Sequence, residues 1–125
     1  MKMKLELVPV PVTDVDRAID FYVNKVGFVL DHDHHVNDKI RFVQLTPPES
    51  ACSIVLGLGI TEMALGSQQG LQMVVDSAQA AYDELTAKGV EMSKVEEMPW
   101  GIFTGFADPD GNTWALQEMV PQPAS

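Results

Sequence analysis

The chain has 125 residues, 46% hydrophobic and 21% charged, which suits a folded domain with its own core and excludes a disordered protein. Eighteen acidic residues against eight basic ones give a formal net charge of −10, which disfavours binding to nucleic acids and to anionic membranes. A single cysteine excludes an internal disulfide, and no apolar run reaches the roughly 18 residues that a membrane span needs, so we expect a cytoplasmic protein.

The first half of the sequence predicts a strand, a helix and three more strands. The segment KLELVPVPV alternates as a strand that ends near Val12. Asp14 is the predicted N-cap of a helix along VDRAIDFYVNKV, which ends at Gly27. Three strands follow in FVLDHDHHV, KIRFVQLT and ACSIVLGLG, separated by turns at ND and PPES.

The second half repeats this order after the connector ITEMALGSQQ. A strand in GLQMVVD precedes a helix in SAQAAYDELTAK, which ends at Gly89, and three strands follow in VEMSKVEE, GIFTGFA and NTWALQE. Asp14 and Gly27 recur as Asp76 and Gly89, both 62 residues later, which indicates an internal repeat. We expect the last segment, VPQPAS, to be loosely held.

These elements predict an α+β fold of two tandem βαβββ modules, at about residues 3–58 and 70–118, within one domain of residues 1–125. One helix covers only one face of each sheet. We therefore expect curled half-sheets around a cavity, with the helices outside and a ligand in the cavity.

Two segments, PVTDVDRAIDFYVNKVGF and DPDGNTWALQE, placed in a duplicated βαβββ chain, resemble the vicinal oxygen chelate superfamily of glyoxalases, extradiol dioxygenases and bleomycin-resistance proteins. The resemblance covers about residues 4 to 118. It implies four metal-ligand positions, which in the enzymes carry His, Glu or Gln and which here fall on Leu7, Val55, Gly70 and Ala115. Side chains that are aliphatic or absent cannot ligate a metal ion, so we expect no metal and no other cofactor.

The segment MPWGIFTGFADPDGN and the proline-bearing first strand are similar to the bleomycin-resistance proteins, which lack the metal and bind a large cationic drug between subunits. The resemblance implies a homodimer that binds an antibiotic or aromatic metabolite without a metal. The alternative is an enzyme of the same fold, a glyoxalase-like lyase, isomerase or dioxygenase, with a shifted metal site near DHDHH or a metal-independent mechanism. Whether the chain is an enzyme stays open, and we assign no catalytic residue.

Alternation along the strands predicts which side chains line the cavity. These are Leu7 and Pro9 from the first strand, Ser53 and Val55 from the fourth, Gln72 from the fifth, and Ala115 and Gln117 from the last. The pocket so defined is apolar with a few amide and hydroxyl groups.

Five further residues are candidate ligand contacts with an alternative each. Trp100, at the mouth of a hairpin, is either a stacking platform or a structural plug, and the strand face of Phe103 is ambiguous. Arg41 either clamps an anion in the cavity or pairs with surface carboxylates, and Gln44 on the same strand is similarly open. In DHDHH, His32 and His34 share a strand face, whereas His35 is either a hydrogen-bond donor on the cavity side or part of a solvated strand end.

Overall fold

In a computed structural model, which describes residues 1–121, the chain forms two compact units. The first comprises Met1–Gln68 together with Asp108–Asn112, and the second comprises Gln69–Ala107 with the chain from Thr113 onward. Most of the segment VPQPAS, which we expect to be loosely held, lies outside the described residues. No helix within the described residues is long and apolar enough to cross a bilayer.

The first unit carries one four-stranded sheet and one helical segment. Its elements are β1 (Leu7–Pro9), α1 (Val15–Ile19) with a π-helical continuation (Asp20–Val26), β2 (Val29–Asn37), β3 (Ile40–Thr46) and β4 (Ser53–Leu58). The strand order is β1-β4-β3-β2, with β1 parallel to β4 and the other neighbours antiparallel.

The second unit repeats this topology. Its elements are β5 (Leu71–Val75), α2 (Ala78–Ala87), β6 (Glu96–Met98), β7 (Gly101–Ala107) and β8 (Thr113–Glu118), in the sheet order β5-β8-β7-β6. Here β5 is parallel to β8, as β1 is to β4. The structure therefore confirms the predicted α+β fold with two βαβββ modules.

Two strands are shorter than the sequence predicts. β1 ends at Pro9 rather than near Val12, because Pro9 and Pro11 have no N–H group to donate to a neighbouring strand. β6 begins only at Glu96, because the preceding chain pairs irregularly with β7: Ser93 N donates to Gly105 O at 2.8 Å and Thr104 Oγ1 donates to Ser93 O at 2.7 Å.

Each unit buries one face of its sheet under its own helix. The buried side chains of the first unit include Val43, Leu45, Ile54 and Leu56 from the sheet and Val15, Ala18 and Tyr22 from the helical segment. Those of the second unit include Phe106, Trp114 and Leu116 from the sheet and Ala78 and Leu85 from α2. Ile54, Leu56, Trp114 and Leu116 are thus buried as predicted, and Ser53 and Val55, on the opposite face of β4, are buried as well.

The two helical segments differ in length by one residue, counted from the N-cap residue to the glycine at which each segment ends. Asp14 Oδ1 accepts from Arg17 N at 3.1 Å, and Ser77 Oγ accepts from Ala80 N at 3.1 Å, so the second cap is Ser77 and not Asp76. The first segment holds its extra residue in π-helical turns and ends at Gly27, whose N–H donates to Tyr22 O at 2.9 Å. A single-residue insertion into an α-helix is commonly absorbed in this way.

The turn between β7 and β8 is held by buried polar contacts of the first unit. Asp108 Oδ2 accepts from Tyr22 OH at 2.8 Å, and Asn112 Nδ2 donates to Pro11 O at 2.8 Å. Asn112 Oδ1 accepts from Gln68 N at 3.0 Å, and both Asp108 and Asn112 are buried. The DPDGN motif therefore has a structural role here.

Candidate functional site

Five of the predicted ligand contacts lie together on the sheet of the first unit. Register pairs Leu7 with Ser53, Pro9 with Val55, and Gln44 with Val55 on the other side. Gln44 Nε2 donates to Ser53 Oγ at 3.1 Å. We call these residues, Leu7, Pro9, Gln44, Ser53 and Val55, the first-sheet patch. It combines apolar side chains with one fixed amide and one hydroxyl; Ser53 and Val55 are buried, whereas Leu7, Pro9 and Gln44 are partly exposed.

A row of rings continues the first-sheet patch toward the edge strand. His32 pairs with Gln44 and His34 pairs with Phe42 across the β2–β3 ladder. The rings of His32 and His34 stack with centroids 5.6 Å apart, and those of His34 and Phe42 lie 6.4 Å apart. The sequence did not single out Phe42, because a lone Phe in an alternating strand carries no signal for such a ring contact.

The structure places Arg41 and His35 away from the first-sheet patch. Arg41 donates from Nε and Nη2 to the two carboxylate oxygens of Asp33 at 3.0 and 2.9 Å, and from Nη1 to Asp16 of α1 at 3.0 Å. His35 Nε2 lies 3.6 Å from Asp33 Oδ1. Arg41 follows the opposite parity to Phe42 and Gln44 along β3, so its side chain faces the helix. Arg41 therefore takes the alternative in which it pairs with carboxylates, and His35 lies exposed near the end of β2.

This ion pair has a direct electrostatic consequence. Hydrogen bonds from the Arg41 guanidinium lower the pKa of Asp33, with partial burial opposing the shift. The same contacts, chiefly those with Asp33, raise the pKa of Arg41 above its usual value. Two carboxylates thus already accept hydrogen bonds from the guanidinium of Arg41.

Five further predicted residues lie together in the second unit, four on its sheet and Trp100 in the turn between β6 and β7. Register pairs Gln72 with Ala115 and Phe103 with Gln117. Gln72 Nε2 donates to Gln117 Oε1, and Gln117 Nε2 donates to the carbonyl of Trp100 at 3.0 Å. The Trp100 side chain is 57% exposed, so it does not plug this unit. We call Gln72, Trp100, Phe103, Ala115 and Gln117 the second-sheet patch.

The residues at the expected ligand positions do not fit a metal ion. Leu7, Val55 and Ala115 offer aliphatic side chains, and Gly70 precedes β5 with φ +72° and donates its N–H to Thr113 Oγ1 at 2.8 Å. Across residues 1–121, no three His, Cys, Asp or Glu side chains form a group that could hold a metal. The side chains at these four positions therefore provide no nitrogen or oxygen atom that could ligate a metal ion.

A cavity of about 1040 Å³ opens in the second unit. We call it the second-unit cavity; its walls come from the C-terminal half of α2, the following segment to Glu96, and parts of β7 and β8. Phe103 and Ala115 of the second-sheet patch line it, together with Met92 and with Tyr82 and Thr86, the last two of which the sequence did not single out. Strand alternation cannot find residues that a helix end and an irregular segment contribute.

Comparison with known proteins supports the resemblance in sequence and in structure. The family model described as Glyoxalase/Bleomycin resistance protein/Dioxygenase superfamily matches residues 4–116. The chain is similar to the crystal structure of TnmS3, an antibiotic binding protein from Streptomyces sp. CB03234, with 34% identity, a TM-score of 0.87, and 95% of this chain and 98% of that chain covered.

Two further relatives are also similar to the chain over most of its length. A glyoxalase/bleomycin resistance protein from Streptomyces sp. CB03234 is 36% identical, with a TM-score of 0.81, over 92% of this chain and all of that one. YetH of Bacillus subtilis (strain 168) is 29% identical over 94% of this chain and its own full length. With a family match over most of its length, the chain belongs to the Glyoxalase/Bleomycin resistance protein/Dioxygenase superfamily.

Proposed function

We propose that the chain binds a small organic molecule, an antibiotic or an aromatic metabolite, in the cytoplasm, without a metal and without catalysing a reaction. The observation that carries this proposal is the chemistry of the four positions where the enzymes that it resembles hold their metal. Leu7, Val55, Gly70 and Ala115 supply no ligand atom from a side chain. A site without its ion loses the means to polarise substrate oxygens, whereas its shape still suits binding.

The two sheet patches support binding by their chemistry. Each combines apolar side chains with amide groups whose orientation is set by hydrogen bonds, Gln44 to Ser53 in one and Gln117 to the Trp100 carbonyl in the other. Sites for small molecules are typically apolar with a few such fixed polar groups. Trp100 adds an exposed indole on which a planar ligand can stack.

Similarity to a named binder gives independent support. TnmS3 is described as an antibiotic binding protein, and it shares 34% of its sequence with this chain over nearly the full length of both. Because one fold of this kind hosts many activities, the likeness supports the class of function and leaves the ligand to experiment.

Calorimetric titration against a panel of aromatic antibiotics, with quinones and cationic glycopeptides included, tests the proposal. We expect one member to bind at micromolar concentration or tighter. Gln117→Ala and Trp100→Ala should weaken that binding about tenfold, in line with the loss of one buried contact of roughly 1.4 kcal/mol. Gln79→Ala, on the exposed surface of α2, is the matched control and should bind as the parent does.

Two results would count against the proposal. Absence of binding to the whole panel at tens of micromolar protein would remove its basis. Near-stoichiometric Ni, Zn, Mn or Fe in elemental analysis of protein purified without an affinity tag would instead support the enzyme alternative. We also propose that residues 1–125 form one domain and that the protein is a homodimer. The dimer is tested below at the scale of the whole molecule.

A further inference from the structure

A chain of hydrogen bonds links four side chains on β2, β3 and β4 of the first unit. Thr46 Oγ1 donates to Asp31 Oδ2, and the Oγ atoms of Thr46 and Ser53 lie 2.6 Å apart. Gln44 Nε2 lies 3.1 Å from Ser53 Oγ. The chain therefore joins the amide of the first-sheet patch to a carboxylate at the edge of the sheet.

The carboxylate at one end sets the direction of every bond in this chain. An ionised carboxylate only accepts hydrogen bonds, and a hydroxyl group has a single proton to donate. Thr46 gives its proton to Asp31, so the bond between the two hydroxyl groups is donated by Ser53. Ser53 Oγ must then accept from Gln44, whose amide is held with its nitrogen toward Ser53. The carbonyl oxygen of that amide, Oε1, is the end left for a ligand.

A second chain, with the same direction, crosses the second-sheet patch. The backbone carbonyl of Trp100 can only accept, and Gln117 Nε2 donates to it at 3.0 Å. Gln117 Oε1 in turn accepts from Gln72 Nε2. Gln72 is thus oriented as Gln44 is, with its nitrogen engaged and its Oε1 atom left over.

Neither of these two amide oxygens has a partner within residues 1–121. Every side-chain hydrogen bond that Gln44 and Gln72 make there uses Nε2. The one fully buried side-chain oxygen or nitrogen without a partner in that range is Asp110 Oδ2, so both amide oxygens are reached by solvent. A ligand that covers an amide oxygen removes its bonds to water, and an unpaired acceptor is costly.

We propose that Gln44 and Gln72 determine specificity, because each accepts a hydrogen bond from an O–H or N–H group of a ligand on its own patch. Thr46 and Asp31 are positioning residues, which orient Gln44 through Ser53. This inference rests on the proposed function, because it specifies the polar groups of the molecule that the patches bind. The ligand is an apolar frame that carries hydrogen-bond donors, in contrast to one whose polar groups only accept.

Three naphthalenes that differ in one substituent test this preference. 2-Naphthol carries a donor, 2-methoxynaphthalene masks that donor with a methyl group, and 2-acetylnaphthalene carries only an acceptor. Titration into protein labelled with nitrogen-15, followed by NMR through the side-chain amide signals of Gln44 and Gln72, gives a dissociation constant at each patch. We expect 2-naphthol to bind about fivefold more tightly than either analogue, as for one hydrogen bond to an acceptor that otherwise stays unpaired.

Replacement of each acceptor should remove the preference at its own patch only. Gln44→Met keeps the length of the side chain but has no amide oxygen. It should bring the three affinities at the first-sheet patch, read from backbone signals of β3 and β4, within about twofold of one another. Gln72→Met should do the same at the second-sheet patch, so each variant is the matched control of the other. The spread of the backbone amide signals checks that both variants fold.

Thr46→Val tests whether the hydrogen-bond chain orients Gln44. Without the Thr46 hydroxyl, Ser53 can turn its proton toward Gln44 Oε1, and the amide can present its N–H groups instead. The preference at the first-sheet patch should then move from 2-naphthol toward 2-acetylnaphthalene, which a loss of stability alone would not produce. Thr86→Val, at an exposed position of α2, is the control and should keep the preference for 2-naphthol.

Several outcomes would overturn the inference. They are equal or tighter binding of the ether or the ketone, a preference that survives in Gln44→Met and Gln72→Met, or no response of either patch up to millimolar 2-naphthol. An unchanged preference in folded Thr46→Val would refute the positioning role.

The same variants separate this inference from the proposed function. If an antibiotic in the calorimetric screen binds the parent, Gln44→Met and Gln72→Met with one affinity, the inference fails and the proposed function stands. A preference for 2-naphthol that both variants lose, with no antibiotic bound, would support the inference and count against an antibiotic as the ligand.

Discussion

Single polar residues in the DPDGN turn hold the first unit together. Asn112 is fully buried, and its amide joins Pro11, Gln68 and Asp108. Asp108 also accepts from Tyr22 OH and from the backbone N–H of Asn112. A motif that resembles those of enzymes is here explained by hydrogen bonding inside the protein, because buried polar groups must be paired.

Removal of the Asn112 side chain should therefore lower stability strongly. We expect Asn112→Ala to reduce the free energy of unfolding by about 3 kcal/mol, because several buried partners lose their hydrogen bonds together. Tyr22→Phe removes one bond to a carboxylate and should cost about 1–2 kcal/mol. Asn24→Ala, at an exposed position, is the control and should change stability by less than about 0.5 kcal/mol. Urea denaturation measures all three, and equal values for Asn112→Ala and Asn24→Ala would contradict this account.

The Arg41–Asp33 ion pair predicts a dependence of stability on acid pH. The folded-state pKa of Asp33 lies below its unfolded value of about 3.9, so its stabilisation is present above that pH and is lost as the pH falls through the folded-state value. Asp33→Asn should reduce stability by about 1 kcal/mol at pH 7, as is typical of a partly exposed, bidentate pair.

The difference between Asp33→Asn and the parent should shrink below about pH 4, where Asp33 of the unfolded chain takes up a proton, and should vanish once the folded-state carboxylate is protonated as well. Unfolding by urea at several pH values measures this difference. Asp16→Asn removes a single contact from an exposed side chain and should have a smaller effect. A difference that stays constant from pH 7 to pH 2 would mean that the charge of Asp33 contributes nothing.

At the scale of the element, the first helical segment shows how a one-residue mismatch is accommodated. Asp14 and Gly27 stand one residue further apart than Ser77 and Gly89, although the two modules have the same strand order. The π-helical turns before Gly27 take up this residue. The backbone then leaves the segment through Gly27 in the left-handed region, with φ 99°.

Substitution of Gly27 should lower the free energy of unfolding, because other residues adopt the left-handed backbone conformation less readily. A Cβ atom at Gly27 would meet no atom within 4 Å, so the expected effect arises from the backbone alone. Gly27→Ala should reduce the free energy of unfolding by about 1–2 kcal/mol, whereas Gly27→Asn should cost less, because Asn tolerates the left-handed region. Thermal or urea unfolding distinguishes them, and an Ala variant as stable as the parent would argue against a left-handed exit.

At the scale of the whole molecule, the edge strand β2 bears on the proposed homodimer. All nine of its residues are exposed, and Val29, Leu30 and Val36 add apolar surface. A long exposed edge strand offers unpaired backbone groups and commonly pairs with another chain. The net charge of −10 opposes association without specificity, so a contact between copies has to be local.

Sedimentation velocity should therefore give twice the monomer mass of 13.7 kDa at micromolar concentration. Val29→Lys with Val36→Lys places two like charges on the edge of β2 and should shift the protein to the monomer. Leu65→Lys, at an exposed position outside the strands, should leave the dimer intact. A monomer in the parent protein would refute the proposal, and a dimer in the β2 variant would place the contact elsewhere.

The sequence by itself determined the two βαβββ modules and the face of most strands. Alternation in ACSIVLG and NTWALQE identified Ile54, Leu56, Trp114 and Leu116 as buried, although not Ser53 and Val55, and the glycines marked where the helices end. It also showed which residue types stand at the metal-ligand positions that the resemblance implies. These features depend on local periodicity, which a linear sequence carries in full.

Only the tertiary structure decided the positions of Arg41, His35 and the second cap. Shifts in register between Leu30 and His32, and again between His35 and Asn37, interrupt the alternation of β2, so its faces cannot be assigned by counting. Asp16, which is 25 residues away in the sequence, also accepts a hydrogen bond from Arg41. The second-unit cavity combines a helix end, an irregular segment and two strands, and such a meeting of distant segments is a property of packing that periodicity does not encode.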